Sequence, residues 1–265
     1  MPAAVFTNLY ETNIEMKVLL EIIGYLLLFS LSLMIISSLV SKVFKLENED
    51  SAIFKNSVVL INSGNYGIPV SQLLFQANPL GISIQIIVMV FQNIITYTYG
   101  LYNLISMTKS GLEIVKELLK LPIIYAMILG GLLNGLQISV PQSLLIPMNH
   151  LANAFLAIAL ILLGAQLAQI QMKTIVNKMV ILSSLGRLLV GPSVALILIY
   201  IMGLDGVIAQ SLFIASSFPA SRNSSTLAFE YNIQPDLAAQ TVLFSTVLSS
   251  LTVTLVIYLS VVLFT

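Results

Sequence analysis

Long apolar segments with few charged side chains recur along the whole chain, and they restrict its fold more than any other feature. Most of them approach or exceed the roughly 20 residues that an α-helix needs to cross the hydrocarbon core of a bilayer. They are too long for the strands of a membrane barrel and lack the alternation of such strands. The sequence therefore predicts an all-α integral membrane protein with about eight transmembrane helices, at 18–43, 54–76, 81–107, 121–137, 142–170, 177–202, 206–230 and 236–264.

The composition narrows the classes of function. Of the 265 residues, 58% are hydrophobic and only 8% are charged, whereas a soluble domain carries about 25% charged residues. The net charge of zero argues against a nucleic-acid partner, since such an interface needs a basic patch. With no Cys and one His, His150, thiolate chemistry, Cys metal sites and a His-rich metal site are excluded, and every Lys lies at the end of an apolar segment or between segments. We expect no enzyme activity, no metal and no cofactor; a coupling ion, proton or sodium, is left open.

Lysine side chains define the expected orientation. They concentrate in the alternate connections 41–55, 108–120 and 171–178, whereas the intervening connections 77–80, 138–141 and 203–205 contain neither Lys nor Arg. By the positive-inside rule, the lysine-bearing connections are cytoplasmic and the C-terminus lies outside the cell. We interpret 108–120 as a cytoplasmic linker between two parts of the chain, 1–107 and 121–265.

Two of the apolar segments are interrupted near their middle by polar residues and a proline. The first reads Asn62-Ser63-Gly64-Asn65-Tyr66-Gly67-Ile68-Pro69, and the second reads Ser216-Ser217-Phe218-Pro219-Ala220-Ser221-Arg222-Asn223-Ser224-Ser225. Proline removes a backbone donor, and irregular backbone at this depth must be buried in protein or line a wet cavity. Each interrupted segment is the next to last of its part, and the two run in opposite directions. This pattern favours two inverted repeats whose broken helices cross at a substrate site; ordinary proline kinks are the alternative.

Candidate substrate-binding residues lie at these two breaks and on the segment 81–107. They are Asn62, Ser63, Gly64, Asn65, Pro69, Asn93, Ser216, Pro219, Arg222 and Asn223. The N-termini of half-helices offer free N–H groups to a bound carboxylate. Arg222 would supply the opposite charge, since an intramembrane Arg is costly and usually functional; snorkelling to the membrane edge is the alternative.

Three further polar residues lie within apolar segments. Gln92 and Asn93 are in the middle of 81–107, where interhelical hydrogen bonding is the commoner use of an amide side chain. Arg187 lies about nine residues into 177–202, and we expect it to pair with a carbonyl or another polar group of the helix bundle. A functional role and a packing role are both open for Arg187.

The two interrupted stretches carry a resemblance to a known family. The run from Asn62 to Pro69, and the region from Pro219 to Leu227-Ala228-Phe229-Glu230-Tyr231, resemble the auxin efflux carrier family of bacterial membrane transporters. Such carriers usually have ten spans in two inverted five-span repeats, with the broken helices fourth and ninth. Here they are second and seventh, and residues 2–9 resemble the tail of the family's second span. The resemblance therefore implies a truncated form, with 1–107 as a partial N-terminal repeat and 121–265 as the C-terminal repeat.

The resemblance also implies a function. It implies a secondary active transporter in the cell membrane that moves a small organic anion, such as a dicarboxylate or an auxin-like carboxylate, by elevator-type alternating access. Some members of the family form dimers, so a homodimer is expected. The alternative is a non-transporting membrane subunit or fragment that needs a partner to supply the missing spans.

Overall fold

The protein is all-helical in the part of the chain that its structure, a computed structural model, describes: residues 2–11, 16–76, 78–106, 119, 122–168 and 177–264. This confirms the predicted fold class at the level of an all-α protein. The predicted linker 108–120, apart from Leu119, and the part 171–176 of the third lysine-bearing connection lie outside the described residues. Within these residues the structure has eleven helices, which are α1 Pro2–Glu11, α2 Met16–Val43, α3 Asn48–Val59, α4 Ile68–Leu74, α5 Pro79–Ile95 continued by Leu101–Ile105, α6 Pro122–Gly135, α7 Gln142–Ala168, α8 Lys178–Leu185 continued by Gly191–Met202, α9 Gly206–Ser216, α10 Arg222–Glu230 and α11 Pro235–Phe264.

Four of these helices are long and apolar enough to cross a membrane. They are the stretches Lys17–Val43, Leu80–Ile105, Lys178–Met202 and Pro235–Phe264. Shorter apolar helices are found at Ile124–Gly135 and Gly206–Ser216. The segments predicted at 54–76 and 206–230 are each divided into two helices, α3 with α4 and α9 with α10, because the chain leaves helical conformation at the predicted interruptions.

Three π-helical turns in the described part of the chain add to these interruptions. Ser63–Gly67 precedes α4, Thr96–Gly100 lies within α5 and Gly186–Val190 lies within α8. A π-helical turn inserts one extra residue per turn and re-aims the side chains around it, which is why such turns are frequent at functional sites. The turn in α5 is held by α3, since the Asn56 side chain donates a hydrogen bond to the Gly100 carbonyl at 2.9 Å.

The connection predicted at 41–55 is shorter than expected. Helix α2 continues to Val43 and α3 already begins at Asn48. The acidic Glu49 and Asp50 occupy the first turn of α3, where negative charge is stabilised by the N-terminal end of the helix. The hydroxyl groups of Ser41 and Ser51, 2.6 Å apart, join the two helices.

The helices pack in two groups. Helix α1 packs on α6 and α7. The largest buried cluster draws its side chains from α2, α3, α5, α8, α9 and α11. The groups meet where Val5 of α1 packs with Met89 and Val90 of α5, and where α7 contacts the π-helical turn before α4.

Helix α11 presents a row of small polar residues to the second group. Thr241, Ser245 and Ser249 recur every four residues and are fully buried. Small residues let helices approach closely in a membrane, and their hydroxyl groups form interhelical hydrogen bonds. The Ser245 hydroxyl accepts a hydrogen bond from the Ala220 N–H at 3.2 Å, and the Ser249 hydroxyl donates one to the Tyr66 hydroxyl at 3.1 Å. This row therefore contacts both interrupted segments.

Candidate functional site

The two interrupted segments meet backbone to backbone. The Asn62 N–H donates a hydrogen bond to the Pro219 carbonyl at 2.9 Å, and the Ser221 N–H donates one to the Leu60 carbonyl at 2.9 Å. These bonds flank an antiparallel bridge between Ile61 and Ala220. Each break thus provides partners for backbone groups that the other break leaves free, as a low-dielectric environment requires.

Side chains of α5 satisfy further backbone groups of the first break. The Gln92 side-chain oxygen Oε1 accepts a hydrogen bond from the Ile61 N–H at 3.3 Å. The Gln85 side-chain nitrogen Nε2 donates one to the Ser63 carbonyl at 3.0 Å. Both glutamines are buried and lie seven residues apart, on one face of the helix. Side chains of α5 therefore hold the irregular backbone at 60–63 in place.

A polar cavity of about 70 Å³ lies beside this crossing. A single water needs roughly 10–15 Å³ on this measure, so the space suits several waters or one small solute. It is lined by backbone and side chains of the first break, of α5 and of the start of α10, namely Ile61, Asn62, Ser63, Gly64, Asn65, Gln92, Asn93, Thr96, Ser221, Arg222 and Asn223.

Seven of the ten residues predicted from the sequence line this cavity. They are Asn62, Ser63, Gly64, Asn65, Asn93, Arg222 and Asn223. The sequence did not single out Thr96 or Ser221 as binding residues, and it assigned Gln92 to interhelical hydrogen bonding. One signal could have indicated Thr96: it lies one helical turn beyond Gln92, so it shares a helix face with a buried amide.

The other three predicted residues lie outside the lining. Pro69 is near the start of α4, where a proline is tolerated because the first N–H groups of a helix have no intrahelical partner. Ser216 ends α9, and its hydroxyl donates to the Phe213 carbonyl at 2.6 Å. Pro219 is buried, and its carbonyl accepts the Asn62 N–H. Pro219 and Ser216 thus help to form the break without facing the cavity.

The buried side-chain atoms left without partners in the cavity wall are all nitrogen donors. Within the described residues, no hydrogen-bond partner is found for Asn62 Nδ2, Gln92 Nε2, Asn93 Nδ2 or Arg222 Nε. For Gln92 the orientation of the amide is fixed, because the oxygen must be the atom that accepts the Ile61 N–H. Asn93 Oδ1 accepts a hydrogen bond from Asn223 Nδ2 at 3.5 Å.

The charge at the cavity is positive. Among the described lining residues, Arg222 is the one charged side chain, and it is partly buried. It is also the first residue of α10, whose N-terminal end carries the positive half of the helix dipole. Ser221, at the N-cap, makes no side-chain cap. The cavity therefore combines a guanidinium, a helix N-terminus and several amide donors.

Long apolar helices and a polar cavity beside two interrupted helices define a polytopic membrane transport protein. The family described as "Membrane transport protein" matches residues 1–257 of the 265-residue chain. The chain belongs to this family, which is that of the auxin efflux carriers. It is a family of membrane transporters and not of enzymes, as the sequence predicted. A search of curated proteins found no match.

Proposed function

We propose that this protein is a secondary active transporter of a small organic anion, such as a dicarboxylate or an auxin-like carboxylate, and that it binds this anion in the cavity beside the crossing. The observation that carries the proposal is the set of unpartnered N–H donors in the cavity wall. A buried donor without a partner costs about 1–3 kcal/mol. A ligand rich in acceptors removes that cost, whereas a cationic or donor-rich ligand does not.

The charge of the cavity supports an anion over a neutral acceptor. Arg222 offers a carboxylate two parallel N–H groups, the geometry in which Arg binds carboxylates best. No Asp or Glu is among the described residues that line the cavity, so nothing there competes for the guanidinium. The volume of about 70 Å³ favours a small anion, or the carboxylate end of a larger one.

We further propose that the two breaks move together as one unit. The supporting observation is the packing in two groups, with α1, α6 and α7 in one and the helices of the largest cluster in the other. Sliding of the second group along the first would expose the cavity to each side in turn, as in elevator-type alternating access. In this proposal, 1–107 and 121–265 contribute inverted repeats around the crossing, within a fold of about eight transmembrane helices.

The same proposal includes an orientation and an oligomer. The lysine-bearing connections 41–55, 108–120 and 171–178 face the cytoplasm of a cell membrane, and the C-terminus lies outside. We propose a homodimer as the assembled form. Labelling of cysteines introduced singly into this Cys-free chain, at Lys45 and at Asp205, tests the orientation, since only one of the two should react with an impermeant reagent in whole cells.

Counterflow in proteoliposomes tests the function. Labelled malonate, malate and indole acetate are offered to the wild type and to the Arg222→Ala and Asn65→Ala variants. The matched controls are Lys178→Ala and Asn48→Ala, which remove the same kinds of side chain at exposed positions outside the cavity. We expect saturable flux that the two cavity variants abolish and the two controls retain.

Two other results would change the conclusion. Flux that survives both cavity substitutions in folded protein would contradict this location of the site. Flux that appears only when two further N-terminal spans are supplied would identify the chain as an incomplete carrier, which is the alternative that the sequence left open.

A further inference from the structure

Arg187 joins the two interrupted helices from outside the cavity. It lies on the π-helical turn of α8, and its side chain is 0% exposed. Its Nη1 donates a hydrogen bond to the Val58 carbonyl at 2.6 Å, and its Nη2 donates one to the Ser216 carbonyl. One guanidinium thus contacts α3 and α9 at the same time, and both partners are carbonyls, one of the two kinds of partner that the sequence predicted.

Both of these carbonyls belong to the ends of half-helices. Val58 is the next-to-last residue of α3, and Ser216 is the last residue of α9. The last carbonyls of a helix lack intrahelical partners and carry the negative end of its dipole. A buried guanidinium satisfies such groups and opposes their charge, and its planar fork fixes the distance between them.

The surroundings of Arg187 are shaped to hold the guanidinium. Its carbon Cζ lies 5.9 Å from the centre of the Phe29 ring, within the range of a cation–π contact. At Gly191, a Cβ atom would collide with Arg187 Nη2 and would lie 2.9 Å from the Ser216 carbonyl oxygen. The absence of a side chain at Gly191 therefore leaves the space that the guanidinium occupies.

We propose that Arg187 is a positioning residue that holds α3 and α9 in the register at which Ile61 pairs with Ala220. The contacts of Arg187 lie three residues before Ile61 on one chain segment and four residues before Ala220 on the other. Loss of these contacts frees both half-helix ends, and the flanking backbone bonds at 60–62 and 219–221 then lose their common support. The proposal concerns the crossing itself and holds whichever solute is carried.

Disulfide cross-linking of the crossing tests this role. Ile61 and Ala220 form the pair without direct hydrogen bonds between them, for which the Cα atoms lie about 4.5 Å apart. That separation suits a disulfide. The double variant Ile61→Cys/Ala220→Cys, in the otherwise Cys-free chain, is oxidised with Arg187 intact and with Arg187→Met or Arg187→Lys.

We expect Arg187→Met to lower the cross-linking rate at least about tenfold, since it removes both charge-assisted hydrogen bonds and the loss of even one corresponds to about that factor. Arg187→Lys should restore part of the rate, since it retains the charge but not the fork. The control pair is Ser41→Cys/Ser51→Cys, whose parent hydroxyl groups are 2.6 Å apart between α2 and α3. Its rate should stay the same in all three backgrounds.

Each other outcome overturns the proposal. Equal cross-linking of Ile61→Cys/Ala220→Cys in all backgrounds would mean that the register does not depend on Arg187. A parallel loss in the control pair would mean that Arg187 stabilises the whole bundle and has no local role at the crossing. Because the measurement needs no substrate, failure to detect anion flux would refute the proposed function and leave this inference standing.

Discussion

Gln92 and Gln85 each contact the first break through the side-chain amide, but Gln92 uses its oxygen and Gln85 uses its nitrogen. Gln92 accepts a hydrogen bond from the Ile61 N–H through Oε1, whereas Gln85 donates one to the Ser63 carbonyl through Nε2. Within the described structure, Gln92 is left with a free NH₂ group and Gln85 with a free oxygen. Two identical side chains on one helix thus differ in which end remains without a partner, and only Gln92 lines the cavity.

The Glu substitution should therefore act differently at the two positions. Gln92→Glu retains the acceptor for Ile61 but replaces the free donor by a negative charge, so we expect anion affinity to fall at least about tenfold in a folded protein. Gln85→Glu sets a carboxylate against the Ser63 carbonyl and should destabilise the fold by about 1–3 kcal/mol. Calorimetric binding of malonate and thermal unfolding measure the two effects. Unchanged malonate affinity in Gln92→Glu would contradict the role of the amide donor.

Arg222 should control affinity through its charge. We expect Arg222→Gln to raise the KM for counterflow by about 10- to 100-fold, corresponding to one hydrogen bond to a charged group. Arg222→Lys should retain part of the affinity, because it keeps the charge and loses the bidentate geometry. Lys178→Gln removes an exposed positive charge and serves as the control. An equal KM in the wild type and Arg222→Gln would exclude a contact between Arg222 and the substrate.

Two glycines of the same π-helical turn should differ in their tolerance of a methyl group. A Cβ on Gly67 would lie 2.6 Å from the Phe218 ring, whereas one on Gly64 would lie 3.6 Å from the Met89 sulfur, an ordinary contact. Gly67→Ala should therefore cost about 1–3 kcal/mol through overpacking and lower the unfolding temperature by several degrees. Gly64→Ala should leave that temperature unchanged. The reverse order would mean that the second break does not pack on Gly67.

A locked crossing should still transport if both breaks move as one unit. We expect the oxidised Ile61→Cys/Ala220→Cys variant to retain at least about half of the flux of its reduced form, since the disulfide only repeats a contact already present. By contrast, Val5→Cys/Val90→Cys, linked by a bifunctional thiol reagent across the contact between α1 and α5, should stop the flux. For the first variant, flux is measured before and after reduction of the disulfide. For the second, flux is measured before and after addition of the bifunctional reagent. Loss of flux from the locked crossing would contradict movement as a unit.

The sequence indicated the breaks because their cause is local. Proline, glycine and asparagine within an apolar run are visible without any tertiary information. The residue at which the first break begins could not be predicted from the sequence. Helix α3 ends at Val59, well before Pro69, because side chains of α5 bind the irregular backbone that follows Val59 and a π-helical turn comes next. Proline then occupies a helix start, where it costs little.

The sequence predicted polar partners for Gln92 and Arg187, but it could not indicate which groups those partners would be. Gln92 lies in an apolar segment that contains no proline, and only the approach of the first break makes its amide part of a cavity. The partners of Arg187 are backbone carbonyls 129 and 29 residues away along the chain, which any residue type could supply. Because every residue type has the same main-chain carbonyl, the sequence could not indicate which residues would contact Arg187.

The main-chain bridge between the two breaks has a consequence for how carriers of this kind diversify. Because the bonds at Leu60, Asn62, Pro219 and Ser221 use only backbone atoms, most side chains of the cavity can change without opening the crossing. New solute preferences are then reachable by single replacements that leave the architecture intact. A selection library that randomises 64, 65 and 93, with 60–62 and 219–221 left constant, should yield folded proteins with altered substrate ranges.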